Sequence, residues 1–352
     1  MHQLHHLFSE LRSLFHSHHD SLWGTRLLRL ARKAHALDAQ TYTTEWLPYM
    51  DSFSTPWPDP LTELITIRDL HEATKLLPRA RFSLNLSNQW TKENDVQHLI
   101  RSPLLSAITR LNISNKHFEH GEIERLANSP TLTGLTHLEV HRCKMNYASA
   151  ERLAYAMTIP TLKHLGLSNN YIDARNIETL FIRRSTTSLT SLNLHNNQMG
   201  DDGVDAFIRS PHFRNLKHLN LGINKIEERG ANTLLSTTRM ANISHLDFGG
   251  NLLGNAGILA IDPEAQRPNL THLNLSYNKL DDDGINHLAK LNILSSIQSL
   301  QLINNEITDE GAHTLINSPL LLNLKQLNLA KNKISPQGKD ALNHIKHIDI
   351  IT

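Results

Sequence analysis

Histidine is the residue whose spacing in this sequence could do chemistry. The chain has 23 His, and His218, His245 and His272 follow one another at intervals of 27 residues. Imidazoles on neighbouring strands could share a metal ion, or they could take up protons together in an acidic compartment. No column of carboxylates accompanies them to complete or orient a ligand set, because Glu139 and Asp247 are isolated. We therefore expect no metal site and no cofactor here, and we interpret these histidines as part of a binding surface.

Catalytic motifs are scarce in the rest of the chain. Cys143 is the single cysteine, which excludes an internal disulfide and a CxxC redox pair, although one thiol could still be a nucleophile. The sequence contains no glycine-rich phosphate loop, no HExxH, no GxSxG and no pair of acids suited to proton transfer. The acidic runs Asp201–Asp202 and Asp281–Asp283 could suggest calcium, but they recur ahead of predicted helices, and we interpret them as helix caps. We predict a protein that is not an enzyme.

Charge and hydropathy limit the kinds of partner. Lys plus Arg number 35 and Asp plus Glu number 34, so no global charge favours nucleic acid or an anionic membrane. No apolar run approaches the roughly 18 residues that span a bilayer. Histidines and charged residues interrupt the first thirty residues, where a signal peptide would need an apolar core. We expect a monomeric, cytoplasmic protein without membrane insertion.

The elements that position these side chains follow from a repeat. The chain has 59 Leu and 32 Asn, and much of this excess belongs to an LxxLxL pattern that recurs every 27 residues. Apolar residues alternate within the pattern, which predicts a short strand with one buried face, and apolar residues about 15 positions later are spaced as on one helical face. The first leucines of the ten copies are Leu84, Leu111, Leu138, Leu165, Leu192, Leu219, Leu246, Leu273, Leu300 and Leu327.

Asparagine forms a second series, five residues after each of the last seven leucines. An amide both donates and accepts, so it can bond the backbone where the strand bends away and loses its partners. We predict that this series is structural and that Cys143, which fills the same slot, is buried rather than nucleophilic. The series consists of Cys143, Asn170, Asn197, Asn224, Asn251, Asn278, Asn305 and Asn332.

The residues flanking each leucine should form columns on the exposed face of the sheet, because strands stack about 4.8 Å apart. These columns are polar, small and almost uncharged, and histidine is their only repeated large residue. We predict that they bind a protein partner through hydrogen bonds. The predicted partner-binding residues are His137, Glu139, His141, His164, Asn193, His195, His218, Asn220, His245, Asp247, His272, Asn274 and Tyr277.

The repeats resemble a known family. The run LTHLNLSYNKLDDDGINHLAK from Leu270 and the run LQLINNEITDEGAHTLINSP from Leu300 are similar to leucine-rich repeats of the ribonuclease-inhibitor-like subclass. The resemblance covers about residues 80 to 352 and implies an α/β solenoid with a curved parallel sheet inside and helices outside. The first three copies depart from the family pattern, because Gln89, Lys116 and Cys143 stand where asparagine is expected.

The ends of the chain differ from the repeats. Residues 1–80 are predicted to form an N-terminal helical cap with an atypical first unit, including a helix near residues 69 to 77. Residues 81–352 are predicted to form the ten repeats and a short C-terminal capping strand. The prolines between Asp38 and Pro60 predict an irregular connection.

Function follows less directly than fold. The resemblance implies a protein-binding module on the concave face, similar to effectors that intracellular bacteria deliver into host cells, here without a cleaved signal peptide. One alternative is a regulator like the GTPase-activating protein of nuclear transport. Another is a ubiquitin-ligase adaptor, because residues 57–78 resemble an F-box. Each implies a protein partner.

Overall fold

The computed structural model describes residues 2–16, 22–51, 63–64, 67–78, 80–87, 102–116, 125–126, 128–129, 131–145, 150–151, 153–154, 159–181, 188–210, 213–265, 268–318 and 322–352. The chain forms two compact units, residues 1–139 and residues 140–352.

The first unit begins with helices and continues into a parallel sheet. Its helices are α1 (His2–His16), α2 (Trp23–Leu37), α3 (Ala39–Thr41), a π-helix (Tyr42–Trp46), α4 (Leu47–Asp51), α5 (Ile67–Leu76) and a 3-10 helix (Pro103–Ala107). Its strands are β1 (Glu63–Leu64), β2 (Phe82–Asn85), β3 (Ile108–Asn112) and β4 (His137–Glu139). The strands are paired in this order, all parallel.

The helices of the first unit pack on aromatic residues. Trp23 is fully buried, and its indole N–H donates to the Leu14 carbonyl of α1 at 2.9 Å. The Tyr42 hydroxyl donates to the Leu76 carbonyl of α5 at 2.7 Å, which ties the π-helix to the helix that follows β1. The predicted irregular connection after Asp38 is wrong for residues 39–51, which are helical. The Asp38 carboxylate starts this helical stretch because it accepts the N–H groups of Gln40 and Thr41.

The second unit alternates strands and helices with the predicted period. Its strands are β5 (His164–Gly166), β6 (Ser191–Asn193), β7 (His218–Asn220), β8 (His245–Asp247), β9 (His272–Asn274), β10 (Ser299–Gln301), β11 (Gln326–Asn328) and β12 (Asp349–Ile351). Its helices are α6 (Ala174–Phe181), α7 (Gly200–Arg209), α8 (Glu228–Ser236), α9 (Gly254–Leu259), α10 (Asp282–Leu288), α11 (Asp309–Ile316) and α12 (Pro336–Asn343), with a 3-10 helix at Asn292–Leu294.

Neighbouring strands of the second unit pair in parallel without a slip. Leu219 of β7 pairs with Leu246 of β8, which pairs with Leu273 of β9, so equivalent residues of successive repeats lie side by side. The leucine in the centre of each strand is buried, and the residues on either side of it face outward. The predicted fold class, parallel strands alternating with helices in a repeating solenoid, is confirmed.

The turns after the strands come in two forms. In one form a residue six positions after the repeat's leucine has a positive φ, as at Tyr171 (58°), Lys225 (57°) and Lys279 (57°). In the other form the positive φ is taken two positions later by Gly200 or Gly254, whose N–H donates to the backbone carbonyl of the asparagine of the next repeat. Glycine suits these two positions because it has no Cβ to strain in the left-handed region.

Candidate protein-binding surface

A buried series of asparagine amides supports the exposed face of the second unit. Asn197 is representative: its Oδ1 accepts the N–H groups of Asn170 at 2.9 Å and Ile172 at 3.0 Å, both in the preceding repeat. Its Nδ2 donates to the carbonyls of Leu167 at 3.1 Å and Leu194 at 2.8 Å. One side chain therefore satisfies four backbone groups where the strand ladder ends.

The same slot is filled along the whole second unit. Cys143 N–H donates to Asn170 Oδ1 at 2.7 Å, and the buried Cys143 thiol donates to the His141 carbonyl at 3.3 Å. Asn251, Asn305 and Asn332 each accept two backbone N–H groups of the preceding repeat. We call the eight residues of this slot, from Cys143 to Asn332, the amide ladder.

Acidic side chains form a second link between repeats, at the helix starts. Asp282 Oδ1 accepts the N–H groups of Thr308 at 2.8 Å and Gly311 at 3.1 Å, so it caps the helix of the following repeat rather than its own. A Cβ on Gly311 would lie only 2.3 Å from this oxygen. Asp309 does the same for Ser335, and that hydrogen bond lowers the pKa of the Asp309 carboxyl. The glycines near the helix starts thus leave room for the preceding carboxylate.

Three histidine rings stack on the exposed face of the sheet. The centroids of the His218 and His245 rings are 4.3 Å apart, and those of His245 and His272 are 4.0 Å apart with planes only 10° from parallel. The residue before the second and third ring holds it in place, because Ser244 Oγ and Thr271 Oγ1 lie 2.9 Å from the Nδ1 atoms of His245 and His272. We call His218, His245 and His272 the histidine stack.

The histidine stack favours neutral rings. Burial lowers the pKa of His218 below its ordinary value of 6.5, and the charges of Lys217 and His272 lower it further. Burial also lowers the pKa of His245, followed by the neighbouring rings of His272 and His218. Near pH 7 these two imidazoles are therefore mainly neutral, and each can both donate and accept a hydrogen bond.

The polar residues after the leucines have a structural duty as well. Asn193, Asn220, Asp247 and Asn274 each accept, through Oδ1, the N–H two residues further along the chain, at 2.8 to 2.9 Å. Asn274 Nδ2 also donates to Asp247 Oδ1 at 2.9 Å, so these side chains cross-link neighbouring strands. Sequence reasoning treated this column only as an exposed surface, because the return of each oxygen to its own strand end is a matter of geometry.

Two further predicted histidines lie beyond the strand ends. His141 Nδ1 contacts the Ser168 N–H at 3.0 Å and the Ser168 hydroxyl at 2.7 Å in the next repeat. His195 lies over Gly222, where a Cβ would come within 2.8 Å of the ring nitrogen. The His195 Nδ1 atom is buried and has no hydrogen-bond partner in the described chain.

The remaining predicted residues are placed separately. His137 and Glu139 lie on β4 of the first unit, and His164 lies on β5 of the second; all three are half-buried. Tyr277 lies in the turn after β9 rather than on the strand, with φ 59° and 47% of its surface exposed. The residues from His218 to Asn274, by contrast, line one open depression of about 380 Å3 that extends from Ser191 to Gln301.

Sequence comparison identifies the repeats. A family model described as Leucine Rich repeat matches residues 186–207, 266–289, 294–315 and 321–342. These repeats are leucine-rich repeats. No curated protein has a sequence that matches the chain significantly.

Solved structures with leucine-rich repeats are similar in fold. A chain of the TLR13-ssRNA13 complex is 20% identical with a TM-score of 0.50, and the match covers 79% of this chain and 36% of that one. An internalin (inlF) from Listeria monocytogenes str. 4b F2365 is 18% identical with a TM-score of 0.46, and the match covers 83% and 85% of the two chains. This chain therefore spans about a third of the first structure's chain, and at these identities the likeness is one of fold alone.

Other chemistry suggested by the sequence has little support in the described residues of the leucine-rich-repeat chain. No group of three or more His, Cys, Asp or Glu side chains in that part could hold a metal ion, and the histidine stack places rings face to face. At the N-terminus, His6 contacts Glu10 at 3.1 Å in an exposed pair. None of the described helices has the length and apolar character needed to span a bilayer. Most of the F-box-like segment, residues 57–62, lies outside the described residues.

Sequence reasoning missed a second set of exposed residues at the edge of the leucine-rich repeats. Arg142, Lys144, Tyr171, Ile223 and Lys225 lie four or six positions after the leucine of their repeat, in the turns rather than on the strands. The signal was present as two more 27-residue columns, which are rich in cations. It was overlooked because only the three columns flanking the leucine were assigned to the surface.

Proposed function

We propose that the leucine-rich repeats are a non-enzymatic protein-binding module and that the partner contacts the exposed face of β6 to β10. The observation that carries this proposal is the histidine stack beside an open depression. Leucine-rich-repeat domains generally act in protein–protein interaction, which supports the general role.

The physical character of the face supports hydrogen bonding rather than charge pairing. The rings of the histidine stack are mainly neutral near pH 7, and Asp247 is the only acidic residue among those that line the depression. Each ring is held by its neighbours before a partner arrives. A surface ordered in advance loses little conformational entropy on binding, so more of its contact energy remains as affinity.

The specific role that fits best is a bacterial effector of the ribonuclease-inhibitor-like subclass, which acts on a host protein. The subclass is supported by the full helical segment after each strand, as in α7 and α11. The host partner is supported by the resemblance of the repeats to those of delivered effectors. The partner should be a folded or extended protein that offers polar groups to the histidine stack.

The test is capture of partners from eukaryotic cytosol by the full chain, followed by calorimetry with each purified candidate. A variant with His218→Ala, His245→Ala and His272→Ala should lose at least tenfold in affinity for the partner. The matched control removes three exposed histidines elsewhere, with His313→Ala, His344→Ala and His347→Ala, and should bind within twofold of the unmodified chain. Equal binding by both variants contradicts the proposed face.

A further inference from the structure

A second depression lies in the second unit, along the turns that follow its first strands. It encloses about 390 Å3 and extends across four repeats, from Arg142 and Lys144 at one end to Lys225 at the other. Tyr171 and Ile223 lie along it, together with asparagine and glutamine amides. We call these five named residues the rim site. None of them belongs to the histidine stack or to the amide ladder.

Positive charge collects at the rim site without being neutralised. The site has three cations and no carboxylate among its lining residues, and Arg142, Lys144 and Lys225 form no ion pair within the described residues. Elsewhere in the unit cations are paired: Arg229 lies against Asp202 and Asp205, and Lys333 lies 2.8 Å from Glu306. The rim cations are therefore available to an anionic group from another molecule.

Large apolar groups are exposed between these cations. Tyr171 is 61% exposed and Ile223 is 46% exposed, although most apolar side chains of the unit are buried. Tyrosine and arginine are enriched among the residues that contribute most to protein interfaces, because both combine apolar area with directed hydrogen bonds. The site thus offers apolar contact as well as charge.

Ile223 occupies a backbone position that suits isoleucine poorly. Its φ is 54°, in the left-handed region, where a β-branched side chain is strained. The equivalent positions of other repeats hold Asn169, Asn196, Asn304 and Gly250, residues that adopt this conformation readily. Because folding alone would favour asparagine here, an exposed isoleucine indicates a role in contact with another molecule.

The spacing of the cations selects the shape of the partner. Arg142 and Lys225 stand at equivalent or nearly equivalent turn positions three repeats apart, and strands about 4.8 Å apart separate them by about 14 Å. An extended peptide advances about 3.4 Å per residue, so side chains four residues apart span the same distance. We propose that the rim site binds an extended segment of a protein partner that carries acidic residues four positions apart with an apolar residue between them.

The test is fluorescence polarisation with a defined probe and the full chain. The probe is a fluorescein-labelled ten-residue peptide of Gly and Ser with glutamates at its fourth and eighth positions and leucine at its sixth; the matched probe has glutamines instead. We expect the glutamate probe to bind at least tenfold more tightly than the glutamine probe, and its affinity to fall as salt rises. Equal affinity of the two probes, or no binding of either at millimolar concentration, overturns the proposal.

Variants then assign the binding to the rim site. The pair Arg142→Glu and Lys225→Glu should weaken the glutamate probe at least tenfold, whereas Lys290→Glu and Lys331→Glu, which change the charge equally at exposed lysines elsewhere, should leave it within twofold. Ile223→Asn should weaken binding about threefold and raise the unfolding temperature, because it removes apolar contact and relieves the backbone. Equal losses in both charge-reversed pairs would mean that only net charge is sensed, and the rim assignment would be wrong.

Two further measurements separate this proposal from its alternatives. The variant that lacks the histidine stack should bind the glutamate probe normally, so that failure of the proposed partner face and failure of the rim site are distinguished. A ten-nucleotide single-stranded RNA with the same label should bind more weakly than the peptide. If the RNA binds more tightly and loses affinity with Arg142→Glu and Lys225→Glu, the rim site recognises nucleic acid and the peptide proposal is overturned.

Discussion

The amide ladder and the histidine stack of the second unit repeat with the same 27-residue period, but their side chains are used in opposite ways. Asn197 is 5% exposed and makes four hydrogen bonds to backbone groups of two repeats. His245 is half-buried, contacts its neighbours through ring faces and a single serine hydroxyl, and leaves its other nitrogen toward the depression. A regular spacing therefore does not distinguish a structural column from a binding column. What distinguishes them is how many backbone groups depend on the side chain.

The largest effect should come from removing one rung of the amide ladder. Asn197→Ala leaves four backbone groups without partners in a buried turn, and at about 1 kcal/mol or more for each group the free energy of unfolding should fall by about 4 kcal/mol. Urea unfolding followed by circular dichroism measures this loss. The control is Asn286→Ala in α10, where the amide makes no hydrogen bond with any described residue, and where stability should change by less than about 0.5 kcal/mol.

The second largest effect concerns the carboxylates that cap the next helix. Gly311→Ala places a Cβ against Asp282 Oδ1, so the carboxylate must move away from Thr308 N–H, and stability should fall by about 2 kcal/mol. Gly134→Ala is the matched control, because its nearest atom would be 3.9 Å away. Adding Asp282→Ala removes the obstacle, so the double variant should be no less stable than Asp282→Ala alone. A strictly additive result in thermal unfolding would argue against this contact.

Removing the histidine stack should change stability little. The variant with His218→Ala, His245→Ala and His272→Ala loses only exposed ring contacts, and its free energy of unfolding should stay within about 1 kcal/mol of the unmodified chain. The same urea experiment measures it. A loss as large as that of Asn197→Ala would place the histidines among the structural residues and remove the contrast between the two columns.

The smallest effect is the pH dependence of the histidine stack. Because the pKa values of His218 and His245 are lowered in the folded state, the unfolded chain binds more protons at these positions once the pH drops below about 6.5. Their contribution therefore destabilises the fold as the pH falls through and below that value. Between pH 7.5 and pH 5.5, a variant with His218→Asn and His245→Asn should lose less in unfolding temperature than the unmodified chain, by about 1–2 °C. An identical decrease in both proteins would show that the stack is not sensed by the titration.

The fold could be predicted because each repeat states the same pattern again. Leu219, Leu246 and Leu273 are 27 residues apart, and the strands pair with these leucines in register. The helical stretch after Asp38 could not be predicted, because its prolines indicate a break and the stretch is stabilised by contacts such as that of Tyr42 with Leu76. Local sequence does not contain such a tertiary contact.

The candidate surfaces could be predicted only in part. The histidines of β7, β8 and β9 follow directly from the strand register, but the stacking of their rings depends on χ angles that the sequence does not specify. The rim site depends on which residue of each turn has a positive φ, and the two turn forms seen at Tyr171 and Gly200 differ in that respect. Asp282 was predicted to cap its own helix, and only the structure shows that its oxygen reaches Thr308.

The direction of the links between repeats has a consequence for synthesis of the chain. A helix start receives its carboxylate from the repeat before it, as Ser335 does from Asp309, so this partner has already been made when the helix leaves the ribosome. A turn receives its amide from the repeat after it, as Asn170 and Ile172 do from Asn197. Each turn must therefore wait for the next 27 residues, about 1–5 s at ordinary rates of translation, before its backbone is satisfied. The growing end of the nascent protein carries one unfinished turn at a time, and the finished repeats behind it advance from the N-terminus to the C-terminus.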